Sequence, residues 1–211
     1  MRKDMKTILV NPEKCIGCKH CEIACAVEHS KSKNLFSAIS ETPALEPHIY
    51  VEMGVDFLSF PNKCRHCDPA PCVQVCPTEA LYRDEDTDSV LIDSNRCIAC
   101  GMCMIVCPFG VIQFKKDLQI KINKEVSTKC DNCIERQKEG KEPACVEACK
   151  AGALIFGEAN ELVKSIRKDF TLRVTKAPGA EVEIPALPLN IKMWRDLLKG
   201  VEEVSTFEEK K

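Results

Sequence analysis

From position 97 the chain reads Cys97-Ile-Ala-Cys100-Gly-Met-Cys103-Met-Ile-Val-Cys107-Pro108. The spacing is Cys-x2-Cys-x2-Cys-x3-Cys-Pro, the bacterial iron–sulfur run. Each two-residue gap turns the backbone around a metal, so the first three sulfurs can wrap one corner of a cubane. The fourth stands a helical turn beyond the third and faces away, toward a second cluster. One such run therefore requires a partner run.

The chain supplies three more groups of four: Cys15, Cys18, Cys21 and Cys25; Cys64, Cys67, Cys72 and Cys76; Cys130, Cys133, Cys145 and Cys149. A cubane needs four soft thiolates. Sixteen cysteines, used in fours with none left over, point to four 4Fe–4S clusters. Two other uses of cysteine fit less well. Disulfide frameworks belong to short secreted chains. Zinc ribbons pair Cys-x2-Cys motifs, and a third cysteine three residues later would crowd a tetrahedral site.

The 211 residues allow one domain or two small ones, and the formal net charge of −2 argues against binding nucleic acid or a membrane surface through bulk charge. No apolar run reaches the length of a membrane span, so no direct membrane span is expected. The first ten residues lack a signal-peptide pattern, and a cytoplasmic location is expected.

Read in order, residues 6–10 suit a strand leading into the first run. Gly17 allows close backbone approach there, with an amide free to point at sulfur. No proline follows Cys25, so its helix can continue toward His29. Residues 26–63 are an insertion with helix-breaking Pro43 and Pro47, and within it 48–53 and 55–60 suggest a β-hairpin turning at Gly54. In the second run the gap between Cys67 and Cys72 is four residues, stiffened by Pro69 and Pro71. Segments 80–83 and 90–93 flank a polar turn and suggest another hairpin, while 111–114 and 118–122 suggest two further strands. The stretch between Cys133 and Cys145, with Gly140 and Pro143, suggests a surface loop.

An internal repeat follows each later fourth cysteine: Cys76-Pro-Thr-Glu-Ala-Leu-Tyr, Cys107-Pro-Phe-Gly-Val-Ile-Gln and Cys149-Lys-Ala-Gly-Ala-Leu-Ile. Each suits a helix end, a turn and an apolar strand, as in two-cluster ferredoxins. Beyond residue 158 no cysteine occurs. Residues 161–170 look helical, 171–190 look like a proline-punctuated arm, and Ile191, Trp194, Leu197, Leu198, Val201 and Val204 fall at helical spacing. Such an amphipathic helix either docks a partner or packs on its own core. His20 and His66 lie inside ligand loops and read as solvated or as hydrogen-bond donors beside a cluster. Glu79, Asp84, Glu85 and Asp86 read as a solvated turn. No Ser–His–Asp set, Gly-rich phosphate loop or catalytic carboxylate pair is visible, so no substrate site is expected.

Over residues 6–158 the cysteine pattern resembles the four-cluster electron-transfer subunits associated with dimethyl sulfoxide reductase, formate dehydrogenase and hydrogenase. The resemblance implies that runs one and four share two clusters and runs two and three the other two. One cluster then takes Cys15, Cys18, Cys21 and Cys149, and the next takes Cys25, Cys130, Cys133 and Cys145. A third takes Cys64, Cys67, Cys72 and Cys107, and the fourth takes Cys76, Cys97, Cys100 and Cys103. Some relatives carry Trp in place of the second cysteine of the third run and hold three irons there. This protein keeps Cys100, which implies four irons. Cys25 and Cys149 lack the usual following proline, which bears on helix ends and not on ligation.

The implied fold is α+β, with two ferredoxin-like two-cluster modules, one inserted in the other, and a C-terminal helical extension. The expected boundaries are 1–59 and 116–158 for the outer module, 60–115 for the inner one and 159–211 for the arm and helix. The implied function is a wire relaying single electrons between a catalytic oxidoreductase subunit and an acceptor in anaerobic metabolism. Residues 24–39 are most similar to the iron–sulfur partner of carbon monoxide dehydrogenase. Formate dehydrogenase, hydrogenase and tungsten aldehyde oxidoreductase are the rival partners, and a freely diffusing polyferredoxin or a zinc-bound scaffold the rival classes.

Overall fold

The computed structural model describes residues 6–42, 46–55, 58–116 and 125–175. The protein divides into two compact units, Met1–Ala159 and Asn160–Lys211. All sixteen cysteines lie in the first.

Strand β1 (Lys6–Val10) leads into a 3-10 turn at Pro12–Lys14, where the Asn11 side chain accepts from Glu13 N. Helix α1 (His20–Glu28) buries Cys21 and Cys25, four residues apart on one face. Helix α2 (Leu35–Ile39) follows; Asn34 caps it by accepting from Phe36 N and Ser37 N. Strands β2 (Ile49–Met53) and β3 (Ser59–Lys63) pair antiparallel. The Gly54 amide closes their connection by donating to Leu58 O at 2.6 Å, so the second strand starts at Ser59 and not at residue 55.

The second run opens helix α3 (Pro71–Gln74) with proline at its first position, where no amide partner is lost. Strands β4 (Leu81–Arg83) and β5 (Val90–Ile92) form the second hairpin. Helix α4 (Met102–Val106) starts at Gly101, whose φ is 80°. Strand β6 (Gln113–Lys116) pairs with β7 (Glu125–Thr128). The expected strand at 111–114 is therefore displaced. Val111 and Ile112 leave the Gly110 turn directly into the core, at 1% and 4% exposure, and pairing begins only at Gln113↔Thr128. The expected strand at 118–122 lies outside the described residues.

Two short helices, α5 (Ile134–Lys138) and α6 (Ala144–Glu147), occupy the fourth run, so the expected loop before Cys145 is partly helical. Strand β8 (Leu154–Glu158) returns to pair antiparallel with β1, from Lys6↔Glu158 to Val10↔Leu154. Among the described residues the strands make four two-stranded sheets. The architecture is thus α+β, built from short helices and small two-stranded sheets.

Helix α7 (Ala159–Val174) runs past residue 170, where an arm was expected. No glycine or proline interrupts it, and Thr171 Oγ1 bonds back to Arg167 O at 2.8 Å. The amphipathic segment around Trp194 lies outside the described residues. No helix among the described residues is long and apolar enough to cross a membrane.

Among the described residues, eight of the 24 buried apolar residues are cysteines. Ile8, Ile49, Val51 and Leu154 pack with Cys21, Cys25, Cys145 and Val146. Leu81, Val90 and Ile112 pack with Cys103 and Ala70. Val126 is fully buried beside Cys97 and Ala80. Burying such a side chain is worth roughly 1.5–3 kcal/mol.

Candidate iron–sulfur sites

One backbone device recurs at the start of all four runs. In each Cys-x2-Cys loop the residue before the second cysteine is left-handed: Gly17 (φ 68°), His66 (50°), Ala99 (56°) and Asn132 (63°). The turn reverses the backbone and aims amides at sulfur. His66 N lies 3.4 Å from Cys64 Sγ, and Asn132 N lies 3.4 Å from Cys130 Sγ. The Gly17 amide donates to Cys15 in the same way. A Cβ on Gly17 would stand 2.7 Å from Ser59 Oγ, so glycine also answers a close approach there.

Further donors come from other elements. His48 N points at Cys25 Sγ (3.3 Å) and Ser127 N at Cys97 Sγ (3.5 Å), while Ser127 Oγ lies 3.3 Å from Cys103 Sγ. Amides of Leu81, Thr78 and Ala80 surround Cys76.

The cysteines gather across long sequence distances. One pocket is lined by Cys64, Cys67, Cys72 and Cys107, with Arg65, His66, Val90 and Phe109 on its wall. A second is lined by Cys76, Cys97, Cys100 and Cys103, with Ser127 and Ile98. The β1–β8 pair brings Cys149 beside Cys15 and Cys21. Cys130, Cys145 and Cys133 are the cysteines beside Cys25. Cys64 and Cys130 share one small core with Val111, packed by Cys107. Cys18 and Cys100 are exposed, each preceded two residues earlier by an exposed isoleucine, Ile16 and Ile98.

Electrostatics test whether these residues fit iron–sulfur clusters. No disulfide joins any of the sixteen cysteines. Burial pushes Cys21 and Cys133 up to about 12 and raises Cys25, Cys130 and Cys145 as well. Cys15, Cys72 and Cys103 move the same way, again through burial. By themselves such thiols stay protonated at neutral pH. A bound cation supplies the charge that displaces the proton. Cys76 moves down: burial opposes the shift, but the surrounding amides outweigh it. Soft donors in fours, with amides already aimed at sulfur, fit 4Fe–4S clusters.

The two ligand-loop histidines part company. His20 is exposed. His66 is buried and Nδ1 accepts from Val90 N at 3.0 Å, so Nε2 carries the proton beside the pocket it lines. Burial, followed by the charges of Lys129 and Lys63, holds its imidazole neutral. In the acidic turn, Thr87 N and Oγ1 donate to Asp84 Oδ2 (2.9 and 2.7 Å). Arg83 pairs with Asp88 at 2.9 Å and reaches the carbonyls of His66 and Cys67, so this turn also holds a ligand loop in place.

Sequence reading passed over His29, His48 and Asp131. His29 Nε2 meets Asp131 Oδ1 at 3.2 Å, its ring lies 4.3 Å from that of His48, and Asp131 accepts from Cys133 N at 2.9 Å. The sets Cys25–His29–His48 and His29–Asp131–Cys133 each bring ligand atoms within 4.8 Å. Both include cysteines that lie beside each other, Cys25 and Cys133. The available signal was His29, four residues beyond Cys25 on a helix with no proline to stop it.

Residues 55–159 match the family described as a 4Fe-4S dicluster domain. An "Iron-sulfur protein" of Rhodospirillum rubrum is 38% identical over 158 residues, 72% of this protein and 82% of that one. Electron transport protein HydN of Escherichia coli (strain K12) is 37% identical, covering 74% of this protein and 89% of its own length. The B subunit of anaerobic dimethyl sulfoxide reductase from the same organism is 35% identical, covering 74% of each. By name, one relative is an iron–sulfur protein, one an electron transport protein and one a second chain of an oxidoreductase. With cysteine loops, amide donors and relatives in agreement, this protein belongs to the 4Fe-4S dicluster family of iron–sulfur electron-transfer subunits.

Proposed function

We propose that this protein is a four-cluster wire that relays single electrons between a catalytic oxidoreductase subunit and an acceptor. The grouping of all sixteen cysteines into four sets of four carries the reading. One set is Cys15, Cys18, Cys21 and Cys149; the next is Cys25, Cys130, Cys133 and Cys145. Cys64, Cys67, Cys72 and Cys107 form the third, and Cys76, Cys97, Cys100 and Cys103 the fourth. Bound clusters supply four one-electron redox centres for sequential transfer.

The protein's own residues do the rest. Sulfurs of the first two sets share one core, those of the last two share another, and Cys64 with Cys130 bridges the two. That contact order supports a linear sequence of centres. It also favours an inner module near 60–115 nested in an outer one made from 1–59 and 116–158, with 159–211 as an extension. Amide donors stabilise sulfur charge, and buried walls exclude water. Exposed Cys18 and Cys100 are the points of entry and exit.

A fixed partner is favoured over free diffusion by helix α2, which leaves Phe36 82% and Ile39 76% exposed. That helix falls within residues 24–39, whose resemblance points to carbon monoxide dehydrogenase. Formate dehydrogenase, hydrogenase and aldehyde oxidoreductase are the other partners the pattern allows. Iron and sulfide analysis of anaerobically purified protein tests the wire. Four cubanes per molecule are expected; half that content, with zinc making up the difference, would sink it.

A further inference from the structure

A basic residue precedes the first cysteine of every run: Lys14, Lys63, Arg96 and Lys129. Their fates differ. Lys14 is half-buried and Arg96 is exposed, paired with Asp93 at 3.4 Å. Lys63 and Lys129 are sealed inside the protein, at 1% and 5% exposure.

The two buried lysines are built alike. Lys63 ends β3 and Lys129 follows β7, each leading into a Cys-x2-Cys loop with a left-handed third residue. Each ammonium folds back onto the next carbonyl: Lys63 Nζ donates to Cys64 O at 2.9 Å and Lys129 Nζ to Cys130 O at 3.0 Å. Lys129 Nζ also donates to Val90 O, and Val90 lines the pocket of Cys64, Cys67, Cys72 and Cys107.

Burying an ammonium without an opposite charge is strongly unfavourable. Among the described residues neither lysine has a carboxylate within ion-pair distance. The sulfurs close to them are arranged crosswise, and the Asp131 carboxylate, two residues beyond Lys129, acts on the same Cys130 and His66. The charge of Lys63 acts on Cys130 and Cys145, that of Lys129 on Cys72. Both also act on His66, which places the pair at the junction where Cys64 packs with Cys130.

We propose that Lys63 and Lys129 are fixed internal counter-cations of the two middle clusters and raise their reduction potentials above those set by the cysteines alone. The proposal rests on the four-cluster reading. Adding one electron makes a thiolate-held centre one unit more negative. A nearby buried ammonium stabilises that state, and no proton need move. Crosswise placement ties the modules together: the lysine from each ligand loop serves the centre held by the other. Electrons are thereby drawn to the middle of the wire from either end.

The test is a potentiometric titration of anaerobically purified full-length protein, followed by low-temperature electron paramagnetic resonance. Lys63→Met and Lys129→Met keep the length of the side chain and remove its charge. Each is expected to move one of the four reduction steps to lower potential, and the double variant two, with the other steps unmoved. Lys→Arg at either position should keep the wild-type value. Unmoved steps in the Met variants, or equal shifts with Met and Arg, would overturn the proposal. If a Met variant fails to hold its clusters, iron content decides. Full loading with Arg supports a need for charge, and equal loss with Arg shows a need for shape only, which overturns it. Failure of the four-cluster reading itself would appear earlier, as low iron in the unaltered protein.

Discussion

His29 Nε2 and Asp131 Oδ1 stand 3.2 Å apart and join the end of the first cysteine helix to the loop of the fourth run. The same carboxylate oxygen accepts from Cys133 N, and His29 Nδ1 lies 2.8 Å from Cys25 O. One side-chain pair thus braces both halves of a single cysteine group. Asp131→Ala should cost about 1–2 kcal/mol; the value sits low in the range for charged hydrogen bonds because the aspartate side chain is 36% exposed. Iron release to a chelator should quicken for the centre that Cys25 and Cys133 hold and not for the others; uniform release would show that the brace serves the whole fold instead.

Gly17→Ala places a Cβ 2.7 Å from Ser59 Oγ on a backbone with φ of 68°. The left-handed conformation costs roughly 1–2 kcal/mol for a side-chain-bearing residue, and the contact adds to it. The double variant Gly17→Ala, Ser59→Ala should recover the contact part and leave the backbone part. A melting temperature in the double variant no higher than in Gly17→Ala would assign the whole cost to the backbone.

Cys100 is exposed and Cys103 buried in the same group. Cys100→Ser should leave a three-iron centre, read as a new signal in the oxidised protein by low-temperature electron paramagnetic resonance. Changes confined to the signals of the first two groups would show that Cys100 serves a different centre.

Glu28 accepts from Lys33 Nζ and Arg136 Nη1, both at 2.9 Å. Burial pushes its carboxyl up, but the bonds and charges of Lys33 and Arg136 outweigh this and hold it below its ordinary 4.5. A depressed acid stabilises the fold above its unfolded value and loses that contribution as pH falls through the folded one. The stability gap between wild type and Glu28→Gln should therefore be full at neutral pH and narrow below about pH 4.5. Denaturant melts across that range measure it; a constant gap would mean that the pair is electrostatically idle.

Phe36→Ser on helix α2 should leave iron content and potentials unchanged, because this side chain is 82% exposed. If α2 anchors the catalytic subunit, affinity falls by about 10-fold or more, the usual effect of losing an aromatic anchor. Unchanged affinity for every candidate catalytic subunit would remove α2 from the interface.

The sequence by itself determined the chemistry and its local scaffolding. Cysteine spacing is a short-range property, so the ligand loops, the Gly17 turn, the helix running on past Cys25 and the two hairpins were legible. Boundaries were less so: β3 and β6 start later than alternation suggests, because pairing begins only where the partner strand arrives. Helix α2 escaped notice although Asn34 stood ready as its cap. Tertiary structure alone decided what lies beside what. Lys14, Lys63, Arg96 and Lys129 look equivalent as letters, yet only Lys63 and Lys129 are sealed in where the second and fourth runs meet. His29 finds Asp131 through the fold that also pairs β1 with β8. Periodicity reports which face of one element is buried and carries nothing about which distant loop will cover it. Burial of charge and the meeting of far-apart cysteines are properties of that covering.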